Sequence, residues 1–142
     1  MPLPINIEDK SNKNSAVVTE YGQLVTAPLS YSDPNYVSLA VADTAYEIVP
    51  GKTNRRFVIA GILVASNKAF ASSTVAETVT IYEAAIEDID TSLGTIFRVD
   101  LLRNDRLVAT GLNLIGSKGR SIVGIATDAA VDVTIAGYYI PV

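Results

Sequence analysis

Of the 142 residues, 42 are β-branched: 16 Val, 14 Ile and 12 Thr. Two heavy atoms on Cβ restrict these side chains in a helix and suit them to the pleated surface of a sheet. Their order fits a sheet as well. In Val131-Asp-Val-Thr-Ile135 the apolar side chains fall at every second position, and Val79 and Ile81 alternate in the same way with Thr78, Thr80 and Tyr82. A period of two gives a strand one buried and one wet face. Turn-forming sequence separates the runs, at Tyr21-Gly22, Ser32-Asp-Pro-Asn35, Pro50-Gly-Lys-Thr-Asn54, Arg103-Asn-Asp105, Gly116-Ser-Lys-Gly119 and Asp128-Ala-Ala130.

This pattern predicts strands near 16–20, 23–27, 36–41, 45–49, 56–66, 74–84, 94–101, 106–110, 120–127 and 131–140. Spacing of about 8 to 14 residues between turn signals reads as an all-β fold, an antiparallel β-sandwich or jelly roll. Residues 1–15 differ from the rest. Pro2 and Pro4 favour extended backbone, and Glu8-Asp-Lys-Ser-Asn-Lys-Asn-Ser15 is polar with no core face, so an extended N-terminal arm is expected before one β-domain over 16–142. A domain of this size buries roughly 68–70% of its unfolded surface and needs no staples.

Two segments depart from clean alternation. Ala84-Ala-Ile-Glu-Asp-Ile-Asp90 has apolar residues three apart, but it is too short for a stable isolated helix and is read as a loop with at most one helical turn. Phe57-Val-Ile-Ala-Gly-Ile-Leu-Val-Ala65 lacks any polar alternate. A strand apolar on both faces is either covered on both sides or packed against another subunit. With its nine glycines counted, the chain is about 55% apolar, above the ~45–50% of ordinary soluble domains, which favours an oligomer.

The chain has no Cys, no His and no Trp. Disulfides, thiolate nucleophiles, imidazole bases and ordinary zinc sites are therefore excluded, and most enzyme templates lose a required part. A net charge of −4 argues against nucleic-acid binding through phosphates, which needs a basic patch. The most apolar run falls far short of the ~20 residues of a spanning helix, and the first residues lack a secretory leader's pattern, so no membrane association and folding in the cytoplasm of the producing cell are expected.

The acidic stretch Glu83, Glu87, Asp88, Asp90 has the oxygen chemistry of a calcium ligand set. However, Gly94 sits one place late for a calcium-loop turn, and Val99 stands where a closing Glu is needed. A solvated or partner-facing loop is the reading preferred over weak calcium binding. A pair of carboxylates for glycoside hydrolysis must face each other across a cleft, which neighbours on one loop seldom do. Gly116-Ser-Lys-Gly-Arg120 lacks phosphate-loop spacing and precedes a β-patterned run, so it reads as a tight connection. No catalytic residue, cofactor or metal ligand is assigned.

The seven tyrosines stand out more than the charges. Tyr138 and Tyr139 are adjacent, so one ring faces each side of a strand, and Tyr suits interfaces because it buries a large ring while its polar tip stays satisfied. A sugar-binding platform is the alternative use of such rings, although Trp is missing. Lys52, Arg55 and Arg56 precede the most apolar strand and suit an acidic protein surface better than a polyanion.

In Ser15-Ala-Val-Val-Thr-Glu-Tyr-Gly-Gln-Leu-Val-Thr-Ala-Pro-Leu-Ser-Tyr31, Ala45-Tyr-Glu-Ile-Val-Pro-Gly-Lys52, Phe57-Val-Ile-Ala-Gly-Ile-Leu-Val64, Thr78-Val-Thr-Ile-Tyr-Glu83 and Val131-Asp-Val-Thr-Ile-Ala-Gly-Tyr-Tyr139, the chain resembles small structural proteins of tailed bacteriophages. The best match is the jelly-roll group of capsid cement, or decoration, proteins. The likeness covers most of residues 15–140 and is one of strand pattern and phrase rather than of a catalytic signature.

The resemblance implies a non-enzymatic homotrimer on the outer surface of the virion capsid, bound to the major capsid protein and stabilising the icosahedral head. The arm and the loops at 31–36 and 50–56 are the expected contacts. The candidate capsid or subunit interface residues are Ile5, Ile7, Tyr31, Tyr36, Lys52, Arg55, Arg56, Tyr138 and Tyr139. A receptor- or glycan-binding domain of a tail or fibre is the alternative, and a glycan-cleaving enzyme ranks last.

Overall fold

Nested antiparallel pairing organises the chain. The computed structural model describes residues 7–8, 15–16, 35–66, 76–102, 104–128 and 130–142. Among them are eleven strands and no helix: β1 (Ile7–Glu8), β2 (Ser15–Ala16), β3 (Asn35–Leu39), β4 (Tyr46–Val49), β5 (Arg55–Ser66), β6 (Glu77–Ala85), β7 (Gly94–Leu101), β8 (Arg106–Ala109), β9 (Leu114–Ile115), β10 (Arg120–Ala126) and β11 (Val131–Pro141). One sheet has the order β4-β10-β6-β7 and the other β3-β11-β5-β8, with β9 also paired to β5.

Setting aside the short β1, β2 and β9 leaves eight strands whose pairs nest. The first pairs with the last, β3 with β11; the second with the seventh, β4 with β10; the third with the sixth, β5 with β8; and β6 closes on β7. A ribbon of nested pairs folded across itself into two sheets is a jelly roll, so the expected fold is found.

The two inner faces meet in one core. Leu39, Ile59, Ile62, Val64, Val131, Val133 and Ile135 come from one sheet and Val49, Val79, Ile81 and Ile122 from the other, each at most 2% exposed. Full burial of side chains of this size contributes roughly 1.5–3 kcal/mol each. Along β11 the buried residues Val131, Val133 and Ile135 alternate with the half-buried Asp132 and Thr134, as the sequence pattern requires.

The apolar run in β5 is apolar on both faces, as its sequence suggests, and it also carries an irregularity. On β11, Ala136 pairs with Gly61 and Gly137 with Ile59, which leaves Ala60 as an extra residue in a β-bulge. The bulge shifts the phase of alternation. Phe57 and Ile59 point inward before it, and Ile62, Val64 and Ser66 after it. Leu112 donates its N–H to the Ala60 carbonyl at 2.9 Å. The bulge changes which residues face inward but leaves both faces apolar, with Val58, which is buried, and Leu63 and Ala65 on the outer side.

A second, smaller cluster lies on the outer face of the other sheet. Tyr82, Ala84 and Val123 pack there with Ala45, Ile89 and Ile125, and the Tyr82 hydroxyl donates to the Ile89 carbonyl at 2.7 Å. Residues 86–93 fold over this face as turns closed by an Ala85–Asp88 bridge, in keeping with a loop reading. The strand β9 was absent from the sequence expectation. So was the pairing of Ile7 with Ala16 and Glu8 with Ser15, which turns part of the arm back on itself across the 15/16 boundary. The strand expected at 23–27, and most of that at 16–20, lie outside the described residues.

Gly137 is set by close approach. A Cβ there would stand 2.0 Å from the Val58 carbonyl oxygen and 2.6 Å from Phe57 Cε1, whereas a Cβ on Gly94 would meet nothing within 4 Å. Gly137→Ala should destabilise the fold by about 3 kcal/mol, and Gly94→Ala by less than about 0.5 kcal/mol. Urea denaturation of the two variants tests this contrast.

Burial, and then the Asp90 and Asp88 carboxylates, push the Tyr82 hydroxyl above its usual range. The folded state therefore keeps this proton to higher pH than the unfolded chain does. Stability from the group is complete below the unfolded pKa of about 10 and is lost as pH rises through the raised folded value. Tyr82→Phe should flatten the fall in urea midpoint above about pH 10, even though loss of its hydrogen bond lowers the baseline by ~1 kcal/mol.

Candidate interaction surfaces

At one end of the sandwich the turns between β4 and β5 and between β9 and β10 are fastened together. Arg55 donates its N–H to the Lys52 carbonyl at 3.0 Å, closing the first turn, and Gly119 donates to the Arg55 carbonyl at 2.9 Å, joining the second turn to it. The Gly51 N–H donates to Ser121 Oγ at 3.0 Å, and that hydroxyl donates to Glu47 Oε1 at 2.7 Å. Gly51 is needed for this contact, because a Cβ would lie 2.9 Å from the Ser121 nitrogen.

This fastening gathers exposed Lys52, Arg55, Arg56 and Lys118. Tyr139 braces the group from below. Its hydroxyl donates to the Pro50 carbonyl at 2.6 Å, its ring meets Phe57 edge-on with centroids 5.1 Å apart, and Lys52 Nζ sits 3.9 Å above the ring centroid. A cation over a ring face is held by the ring quadrupole, so Lys52 is oriented rather than loose. Acidic residues of the β6–β7 connection border the same end, where Ile86 packs close to Gly51. The surface is therefore one of mixed charge, with the chemistry to meet a protein of patterned charge rather than a uniform polyanion.

Five of the candidate residues read from the sequence, Lys52, Arg55, Arg56, Tyr138 and Tyr139, share this end. As expected for adjacent strand residues, Tyr139 packs against the core while Tyr138, paired with Val58, is on the opposite face. Tyr36 stands elsewhere, 61% exposed on β3, with its hydroxyl donating to Asp132 Oδ1 at 2.9 Å. Ile7 lies in β1. Ile5 and Tyr31 lie outside the described residues.

Tyr36 belongs to a surface that residue-type reasoning missed. On the outer face of the β3-β11-β5-β8 sheet, Tyr36 pairs with Thr134, Thr134 with Leu63, and Leu63 with Val108. Leu63 is 38% and Val108 61% exposed. Beside this row Gly61 and Ala136 floor a shallow depression of about 150 Å³. The available signal was the alternation itself: Asp132, Thr134 and Ala136 occupy the wet phase of β11.

A larger cleft of about 440 Å³ opens near β9 and is lined by Ile59, Ile96, Leu114, Ile115 and Gly116, with Glu83 and Asn113 as its polar members. Glu83 accepts hydrogen bonds from the Ser117 N–H at 2.6 Å and the Ser117 hydroxyl at 2.7 Å. It thus ties β6 to the β9–β10 turn, apart from exposed Glu87, Asp88 and Asp90. Among the described residues no three carboxylates are grouped closely enough to hold a cation. Nor is any helix there long and apolar enough to cross a membrane. Compared with known proteins, the chain matches no family and no curated relative.

Tyr139→Phe keeps the ring beneath Lys52 and removes only the bond to Pro50. It should cost about 1 kcal/mol in chemical denaturation and leave the sheet content unchanged by circular dichroism.

Proposed function

We propose that this chain is a structural protein of a tailed-bacteriophage virion, a cement protein that binds the outer surface of the major capsid protein as a homotrimer and stabilises the icosahedral head. The observation that carries this reading is the presence of two distinctive exposed surfaces on one jelly roll. One is the exposed row Tyr36, Leu63 and Val108 on an outer sheet face. The other is the braced end bearing Lys52, Arg55 and Arg56. An apolar exposed face suits a subunit seam, whereas a cluster of exposed cations suits docking on an acidic protein surface. Resemblance to jelly-roll decoration proteins supports the same assignment.

Work of this kind needs no reacting group. It needs a scaffold that holds its shape and repeats one contact over many symmetry-related sites, where linked contacts make modest affinity effective. Residues 1–15 supply length for an additional contact with a neighbour, by strand addition or by lying in a groove.

Cryo-microscopy of the intact phage that encodes the chain tests the reading. Jelly-roll trimers are expected on the outside of the head shell. Their absence there, with the chain found instead at the tail or fibre and binding polysaccharide on a glycan array, would replace the cement assignment with a receptor-binding one.

A further inference from the structure

We infer that the outer face of the β3-β11-β5-β8 sheet is the seam between copies of this chain, joined head to tail with Arg106 of one copy against Asp132 of the next. The inference deepens the trimeric reading above and rests on it.

Register fixes the layout. Asp132 pairs with Ala65, and Ala65 with Arg106, so the two charges lie in one cross-strand row on either side of β5. Directly paired residues share a face, which places both on the outer side with Thr134, Leu63 and Val108 in the next row. One flank of the face therefore presents a carboxylate beside Tyr36, and the other a guanidinium beside Val108. Between them the surface is apolar and low, with the depression over Gly61 and Ala136 admitting a neighbour's side chain.

The charge pattern selects the occupant. Two copies of a chain with net charge −4 repel on average, so a seam between them must bring opposite charges together. Meeting like flank to like flank would set carboxylate on carboxylate. Meeting opposite flanks sets Arg106 on Asp132 at every junction and places Val108 near the neighbour's Tyr36. Arg106 is exposed on β8, the last strand in the sheet order, where a neighbour's carboxylate can reach it. Contacts between different patches close into a ring when the rotation allows, and three copies meet that condition in the trimeric reading.

Charge reversal tests the seam on the full chain by sedimentation equilibrium. The unmodified protein should sediment at three times its 15.1 kDa protomer mass. Arg106→Asp and Asp132→Arg should each weaken association at least about tenfold, and the double variant Arg106→Asp/Asp132→Arg should recover most of it. Both side chains are at the surface, and circular dichroism of each variant should match that of the unmodified chain. Trimers indifferent to both single reversals would overturn this seam while leaving the trimer intact. A monomeric unmodified chain would overturn both, and a double variant no better associated than the singles would overturn the Arg106–Asp132 contact.

Discussion

The pairing of β5 with β11 is the contact on which the rest of the molecule depends. It runs from Val131 opposite Ser66 to Pro141 opposite Arg55, through the centre of its sheet. A slip of one residue in such a ladder would turn the core set Val131, Val133 and Ile135 outward and bring Asp132 and Thr134 inward. The bulge at Ala60 lets one strand keep an inward apolar face on both sides of a bend, and Gly137 lets β11 approach that bend. The same ladder fixes both proposed contact surfaces. Its outer side carries Thr134 and Leu63, and its far end carries Arg55, Arg56 and Tyr139.

Most of the fold was legible because its information is local. Alternation in Val131-Asp-Val-Thr-Ile135 and turn residues at 50–54 and 116–119 specify strands and their ends without reference to distant residues. The bulge at Ala60 was not legible, because an extra residue in a ladder is defined only by its partner strand. The uninterrupted run Phe57-Val-Ile-Ala-Gly-Ile-Leu-Val-Ala65 is apolar on both faces, so no polar residue marks where its phase of alternation changes. β9 escaped for a related reason: two residues have no period, and Leu114–Ile115 is a strand only because β5 lies beside it.

The sites divide along the same line. Lys52, Arg55 and Arg56 are close in sequence and were legible as a group, and adjacency alone set Tyr138 and Tyr139 on opposite faces. What sequence did not contain was the brace that joins them, since the bond from Tyr139 to Pro50 spans 89 positions. Glu83 was grouped with its acidic sequence neighbours, but its strand turns it toward Ser117, 34 positions away. The row from Tyr36 to Val108 draws one residue from each of four strands, so neither residue type nor spacing announces it.

The central claim is that copies of the chain meet through the two flanks of this outer face, and disulfide trapping tests it most directly because the chain has no cysteine of its own. Asp132 and Arg106 are separated by one intervening strand, about 10 Å across the sheet, too far for a bond within one chain, since disulfides need Cα atoms within about 7 Å. A variant carrying Asp132→Cys and Arg106→Cys should, on mild oxidation, give a covalent trimer on a non-reducing gel that collapses to protomers with reductant. Only protomers after oxidation, at a concentration where the unmodified chain is associated, would contradict the account.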